Sequence, residues 1–445
     1  MPLSSPTTVL PPAHTFAWRG LDKVLPTLSL TVSRGLAMIA QVLVQMAVGA
    51  LSGPVGLGIL QLFAAWSNIL GEALARGWPS MVLKRVSVAW GRDDRPSARA
   101  TVRGASRAVL RGWPLGLAAA VALVIAGQFV SISTTVMEGA MLVLALVASA
   151  TIFALLRIRS EALKGADAPL TAVTLENLAM PSLLLAVCLV CFLFEVTLGP
   201  ALLVLGCVLG FVIAAAWLGR AVKTRLGDMA DEMTAHELPA DRRERRALWL
   251  SSVQAIAFLQ LPFLVLPVFT DVGTIGVYAV AHKLINVITT LLILLGSIYG
   301  PAFARAAAKA DAGQLRILLR RTQLISLAVF GPAAAILLLT STELAGLFHV
   351  PSRGLHSFML ILVLGQLINA ATGLSGILLN MTGAARTEWR ISLASLCVAL
   401  LLTVTVGGAY GATGLAILFS AVIATKNIVS WLAARRHLVS GVMNR

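Results

Sequence analysis

The sequence predicts an all-α polytopic membrane protein of about twelve transmembrane helices. Of its 445 residues, 58% are hydrophobic and only 12% are charged, whereas soluble domains carry about 25% charged residues. The mean hydropathy is +0.89. Apolar windows of about 20 residues, the length that crosses a bilayer, recur along the whole chain and are separated by Gly, Pro and charged residues.

The apolar windows form two sets, one in each half of the chain. They are predicted at 27–50, 54–77, 110–130, 138–158, 169–195 and 200–218, and again at 248–270, 275–300, 322–340, 353–380, 389–408 and 411–432. A polar connector at 219–247 separates an N-terminal half, 1–218, from a C-terminal half, 248–445. The first residues show no apolar core followed by a small-residue cleavage site, so no cleaved signal peptide is expected.

The loops between the windows differ in charge, and this difference predicts the orientation. The segments 78–109, 219–247 and 301–321 are rich in Arg and Lys, whereas the alternate loops are short and nearly free of cations. By the positive-inside rule the basic segments and both termini are expected in the cytoplasm. The net charge of +16 therefore indicates topology and contact with anionic lipid headgroups, and nucleic acid is not an expected partner.

The two halves resemble each other, which predicts an internal duplication. "GPVGLGILQLFAAWSNIL" (53–70) aligns with "DVGTIGVYAVAHKLINVI" (271–288), so that Gly58 lies over Gly276 at an offset of 218. The same offset places Gly165 over Gly383. Because six helices per half is an even number, both halves should insert with the same orientation. The sequence thus predicts two pseudo-symmetric six-helix lobes around a central cavity.

Cations inside the apolar windows are the first candidate site residues. Charge in the membrane interior is costly, so such residues line a polar cavity or extend their charge to the interface. Lys283 is about 12 Å into its window, and both interpretations stay open for it and for Arg34; Lys426 is close enough to a helix end to extend to the interface. The substrate-binding candidates are Lys283, His282, Arg34, Asn286, Asn68 and Lys426.

Two carboxylates within the windows are candidates for ion coupling. Glu72 is four residues before Arg76, which on a continuous helix would place the two side chains together as an internal ion pair. Glu176 precedes Pro181, a possible bending point. A purely structural role is the alternative for both acids.

Other chemistry has little support in the sequence. Cys188 and Cys191 form a CxxC, but they sit in an apolar window with no second ligand pair, so packing is expected and no metal or other cofactor. The outward loops are only a few residues long, and no DxD motif or His/Asp/Glu constellation in a sizeable loop is present, so an enzyme is not expected.

Several segments carry a family resemblance across nearly the whole chain. They are "GPVGLGILQLFAAW" (53–66), "VGTIGVYAVAHKLI" (272–285), "YGPAFARAAA" (299–308), "GQLINAATGLSGILLNMTGAAR" (365–386) and "AYGATGLAILFS" (409–420). With them the chain resembles the polysaccharide transporters, or oligosaccharide flippases, of the multidrug/oligosaccharidyl-lipid/polysaccharide exporter superfamily. The resemblance is a pattern of spans and glycines, without a catalytic signature.

This resemblance implies an alternating-access flippase in the bacterial inner membrane. Its substrate would be an oligosaccharide on a polyprenyl pyrophosphate, moved from the cytoplasmic to the periplasmic leaflet for surface polysaccharide or lipopolysaccharide synthesis. Glycosyltransferases and a polysaccharide polymerase would be its partners. The alternative is a multidrug exporter of the same superfamily, although the windows at 27–50 and 248–270 lack the carboxylates that such pumps use. The related lipid II flippases are a closer rival, but they typically have extra C-terminal spans that the twelve predicted windows do not include.

Overall fold

The protein is all-helical wherever its structure, a computed structural model, describes the chain: residues 18–125, 136–227, 239–309 and 311–440. This confirms the predicted fold class. The helices are α1 Trp18–Ala75, α2 Trp78–Gly91, α3 Arg95–Leu110, α4 Trp113–Ile125, α5 Val136–Gly165, α6 Pro169–Leu193, α7 Pro200–Leu226, α8 Pro239–Phe269, α9 Val272–Ala308, α10 Ala312–Leu339, α11 Ser341–Leu347, α12 Ser352–Thr372, α13 Ser375–Met381 and α14 Ala385–Ser440.

The helices account for about twelve membrane-length segments. In the described ranges, nine helices are long and apolar enough to cross a membrane. Two of them, α1 and α14, each bend at one glycine, Gly53 with φ 61° and Gly411 with φ 56°. Because glycine adopts positive φ without steric cost, each bend divides one helix into two segments. Helix α4 supplies a further apolar segment, and residues 126–130 of its predicted window lie outside the described residues.

Some segments differ from the sequence prediction in detail. The basic segment 78–109 is helical: α3 turns a face of small apolar residues, including Ala98, Val102 and Ala105, into the protein. Its first turn is capped by the Asp94 side chain, which accepts a hydrogen bond from the Ser97 amide. The window 353–380 is broken at Gly373, where φ is 62°, giving α12 and α13.

The two halves touch backbone to backbone at the end that bears the short loops. A Cβ on Gly58 would collide with the carbonyl oxygen of Val272, and one on Gly276 would collide with that of Pro54. Only glycine lets helices α1 and α9 come this close. We call this contact the glycine seal, and we call the two ends of the molecule the short-loop face and the basic face.

At the basic face, α8 packs on the end of α1 and on α2. Trp249 donates its indole N–H to the carbonyl of Ala73 at 3.1 Å, and Arg245 donates to the carbonyl of Arg76 at 2.9 Å. On the surface, Lys84 pairs with Glu244 at 2.7 Å. Helix α8 thus contacts the N-terminal half along one side. Helix α14, which like α8 belongs to the C-terminal half, also packs against it.

Candidate functional site

A polar cavity of about 550 Å³ lies between the two halves, and we call it the chamber. Helices α1, α5, α6 and α7 line it from the N-terminal half, and α8 and α9 line it from the C-terminal half. Six of the eight residues proposed from the sequence reach it: Asn68, Glu72, Glu176, His282, Lys283 and Asn286. The structure therefore brings most of the candidates together in one place.

Depth in the chamber can be measured from the glycine seal, because α1 and α9 both run from it toward the basic face. Lys283 is seven residues beyond Gly276, or about 10 Å along the helix. Glu72 is fourteen residues beyond Gly58, or about 21 Å. The lysine therefore lies near the sealed end of the chamber, and the acid lies about 10 Å closer to the basic face.

Lys283 has a neutral partner. Its ammonium donates a hydrogen bond to Oε1 of Gln41 on α1, and within the described residues no carboxylate pairs with it. Gln41 also lines the chamber, so the ammonium lies inside the cavity and does not extend to the interface. The hydrogen bond stabilises the charge without cancelling it, which leaves a net positive group near the sealed end.

His282 and Asn286 form a pair of polar side chains in contact with each other beside this lysine. Nδ2 of Asn286 lies 3.1 Å from Nδ1 of His282, one turn earlier on α9. The imidazole is held between aromatic rings, with ring centroids 5.2 Å from Phe263 and 6.0 Å from Tyr278. This packing fixes the imidazole in one orientation.

The acids belong to a charge cluster formed by Glu72, Arg157, Glu161, Lys164 and Glu176. Arg157 is 3.0 Å from Glu176, 3.7 Å from Glu161 and 3.9 Å from Glu72. Lys164 is 2.9 Å from Glu161 and 3.3 Å from Glu176. Each carboxylate thus has a cation within ion-pair distance, although three acids face only two bases.

The predicted pairing of Glu72 with Arg76 is wrong. Helix α1 ends at Ala75, and Arg76 adopts a left-handed turn with φ 49°. Arg76 is therefore outside the helix, and the i to i+4 spacing that the prediction assumed does not apply to it. Arg157 takes its place. The spacing of Arg157, Glu161 and Lys164 at i, i+4 and i+7 puts all three on one face of α5, a signal in the sequence that could have identified the cluster.

The two remaining candidates lie elsewhere. The side chain of Arg34 is exposed and is not among the residues lining the chamber. Lys426 on α14 forms an ion pair with Glu388 at 2.6 Å, and Ser430 donates to the same carboxylate at 2.7 Å. Lys426 also lines a second cavity of about 270 Å³, so its charge is matched and it does not face the chamber.

The part of the chain that the structure describes contains no assembled site for metal or thiol chemistry. No group of three or more His, Cys, Asp or Glu side chains there could hold a metal ion. Cys188 and Cys191 are buried free thiols within the apolar core.

Comparison with known proteins gives the fold. No protein-family model matches the sequence, and no curated protein matches it. Among solved structures, the chain is similar to the inward-facing conformation of a multidrug resistance MATE family transporter of the MOP superfamily, with TM-score 0.72, 12% identity, and coverage of 91% of this chain and 95% of that one.

The outward-facing conformation of a multidrug resistance MATE family transporter has TM-score 0.59, 15% identity, and coverage of 94% and 96%. A mutant of the Vibrio cholerae MATE transporter VcmN has TM-score 0.57, 18% identity, and coverage of 95% and 97%. The chain thus has the fold of these transporters along nearly its whole length.

Proposed function

We propose that this multi-pass membrane protein is a transporter that moves an amphiphilic molecule through the chamber between its lobes. The proposal is supported by the fold and by the position of the chamber, which is lined from both halves and is enclosed by the glycine seal at one end. Rigid-body motion of two lobes about such a site is the usual way for transporters of repeated architecture to expose it alternately.

The comparisons favour multidrug export as the type of transport. The similar structures are named as MATE multidrug transporters, so this alternative has more support from them than the flipping of a lipid-linked oligosaccharide. Their identity to this chain is 12% and 15%, however, so the choice of substrate must be argued from the chamber itself.

The observation that carries this argument is Lys283, because the partner of its ammonium among the described residues is the neutral amide of Gln41. A cationic drug that entered the chamber would meet this ammonium near the sealed end, and like charges at close range are unfavourable. The charge cluster holds one acid more than it has bases, but each of its acids is within 4 Å of Arg157 or Lys164. Glu72 also lies about 10 Å beyond the depth of Lys283. We therefore infer that the substrate carries an anionic group, whether it is a drug or a lipid.

A lipid-linked oligosaccharide is the second candidate, and the chamber's chemistry favours it. Such a lipid joins a pyrophosphate, which suits a cation, to sugar hydroxyls, which suit amide side chains such as Asn68 and Asn286. If the basic face is cytoplasmic, an opening there would receive the lipid from the inner leaflet. In that case the protein would act as a flippase for surface polysaccharide synthesis in the inner membrane.

Binding to the purified protein in lipid nanodiscs tests the anionic-substrate proposal. Farnesyl pyrophosphate serves as the anionic probe and ethidium as the cationic one. We expect Lys283→Gln to weaken farnesyl pyrophosphate binding about tenfold or more, the equivalent of about 1.4 kcal/mol, and Lys283→Arg to retain most of it. Lys309→Gln removes an exposed lysine outside the chamber and should change nothing. Tight ethidium binding that ignores Lys283 would instead assign the protein to cationic drug export.

Transport in cells separates the two anionic candidates. A flippase should restore surface polysaccharide to a strain that lacks its own oligosaccharide flippase, and Lys283→Ala should abolish this at unchanged protein level. A drug exporter should raise resistance to anionic amphiphilic antibiotics and leave the polysaccharide absent.

A further inference from the structure

The second cavity lies beside the chamber in the C-terminal half, between α8, α9, α12 and α14. The two cavities share a wall made of Leu259, His282 and Asn286. We propose that the second cavity binds an uncharged, hydroxyl-rich ring, a sugar, that is part of the substrate whose anionic group is held near Lys283. This inference rests on the proposed function, and specifically on its lipid-linked saccharide form.

The second cavity carries no unmatched charge. Its cation, Lys426, is neutralised by Glu388 at 2.6 Å, and the hydroxyl of Ser430 holds the other oxygen of that carboxylate. The ammonium of Lys283, in contrast, is paired with a neutral amide in the part of the chain that the structure describes. The two neighbouring cavities thus differ in what they attract, because the chamber favours an anion and the second cavity favours a neutral polar group.

Amide side chains supply the polar lining of the second cavity. Asn369 donates a hydrogen bond to Oε1 of Gln366 at 2.9 Å, and Asn427 donates to the carbonyl of Ile423 at 2.9 Å. These bonds fix the amides and, in the described part of the chain, leave Oδ1 of both asparagines and Nε2 of Gln366 without a protein partner. Free amide donors and acceptors side by side match a sugar, whose hydroxyls both donate and accept.

A buried tyrosine hydroxyl adds an independent observation. Tyr278 lines the second cavity and is only 1% exposed, yet among the described residues its hydroxyl has no hydrogen-bond partner. Its ring is fixed edge-on against Phe263 at 5.6 Å and Phe358 at 5.5 Å. A buried hydroxyl without a partner is unfavourable, and a ligand hydroxyl would satisfy it.

The size of the second cavity suits a small part of a ligand. Its volume of about 270 Å³ lies just below the range of about 300–1,000 Å³ found for whole drug-sized ligands. Phe258 and Phe419 contribute apolar surface to its lining, as the carbon face of a sugar ring requires. The cavity therefore fits one ring of a longer head group and not a complete amphiphile.

Binding of matched lipids in nanodiscs tests this assignment. The probes are farnesyl diphosphates esterified to glucose, galactose or N-acetylglucosamine, and a farnesyl diphosphate esterified to cyclohexanol, which has the same charge without the sugar hydroxyls. Two hydrogen bonds of typical strength are worth about tenfold in affinity. We expect the wild type to bind at least one sugar ester about tenfold more tightly than the cyclohexyl ester.

Two substitutions in the second cavity should remove this preference. Asn369→Leu and Asn427→Leu should each reduce the ratio of the two affinities to about threefold or less, with binding of the cyclohexyl ester unchanged. Asn380→Leu makes the same chemical change at an exposed position on α13 and should preserve the ratio. Size-exclusion profiles of the variants identify any that misfold.

The outcomes separate this inference from the function on which it rests. A wild type that binds all four esters equally, or a preference that survives both asparagine variants, would overturn the sugar site while the anionic-substrate proposal stands. If no ester binds and Lys283→Gln has no effect on farnesyl pyrophosphate, the proposed function fails and the sugar site fails with it.

Discussion

Lys283 on α9 and Gln41 on α1 are joined by a hydrogen bond across the two halves of the chain, from the ammonium to the amide oxygen. The cation is therefore held by a neutral group that the opposite lobe supplies. A motion that separates the lobes at this depth would break the bond and leave the ammonium to a ligand anion, so the same contact can report both substrate charge and lobe position.

Replacing the neutral Gln41 with an acid should neutralise the charge of Lys283. In Gln41→Glu a carboxylate would face Lys283 and cancel its charge, so farnesyl pyrophosphate binding should fall about tenfold, as for Lys283→Gln. Gln41→Leu is the matched control because it removes the hydrogen bond and keeps the charge. Binding to the two Gln41 variants by titration in nanodiscs should differ; equal affinities would mean that charge at this place does not govern binding.

The glycine seal should not tolerate a methyl group. Gly276→Ala would push Cβ against the carbonyl of Pro54, and backbone cannot move aside as a flexible side chain can. We expect a loss of about 1–3 kcal/mol in the sealed conformation, seen as a lower melting temperature in detergent. Gly104→Ala on α3, where nothing lies within 4 Å, should be neutral or slightly stabilising. Equal melting temperatures for the two variants would contradict the close approach.

Removing Arg157 should be among the most damaging changes in the N-terminal half. Arg157→Met leaves Glu72, Glu161 and Glu176 with Lys164 as the remaining cation of the charge cluster, and breaking a buried ion pair from one side costs at most about 3–5 kcal/mol. Adding Glu176→Gln should recover part of the loss. Arg107→Met, at an exposed position on α3, should stay within about 0.5 kcal/mol. Thermal unfolding followed by size exclusion measures all three, and no rescue by Glu176→Gln would argue against the cluster.

The cap at the start of α9 should make stability depend on acid pH. Asp271 accepts hydrogen bonds from the hydroxyl and the amide of Thr274 at 2.6 and 2.9 Å, and the hydroxyl bond is the main reason that its pKa lies below the usual value. Because the folded pKa is the lower one, this stabilisation is complete above the unfolded pKa of about 4 and is lost as pH falls through the folded pKa.

Asp271→Ala should therefore lose about 1 kcal/mol at pH 7. Its difference from the wild type should shrink below about pH 4. Asp271→Asn, which keeps a capping oxygen but cannot ionise, should lack this acid dependence. Melting temperatures across pH 3–7 provide the measurement. A difference between wild type and Asp271→Ala that is constant over this range would show that the ionised carboxylate is not what stabilises the cap.

Orientation can be tested with reporter fusions on the two faces. A fusion at Asp271 should report the periplasm and one at Arg95 the cytoplasm, as the distribution of Arg and Lys predicts. The sequence also predicts a periplasmic fusion at Ser133 and a cytoplasmic one at Glu237, which lie outside the described residues. One reversed pair would overturn the assignment of the basic face to the cytoplasm.

The sequence predicted the spans well because hydrophobic length alone determines them. It also aligned Gly58 with Gly276, and the structure brings these two residues together, although superposition of the two halves stays a prediction. Side-chain partners were harder to foresee. The partners of Glu72 and Lys426, which are Arg157 and Glu388, depend on which helices pack together. Depth in a window likewise does not tell which way a side chain points, as the exposed Arg34 illustrates.

The bends at Gly53 and Gly411 have a practical consequence for anyone who wants to label the protein. At each of them the chain passes from one membrane-length segment to the next through a single residue with positive φ, without an intervening loop. Neither bend offers an extended stretch of backbone that an antibody could bind or a protease could cleave. An epitope tag inserted at either bend would separate two helical segments that are directly joined. Arg92, in the exposed turn between α2 and α3 on the basic face, is the better position for an inserted tag.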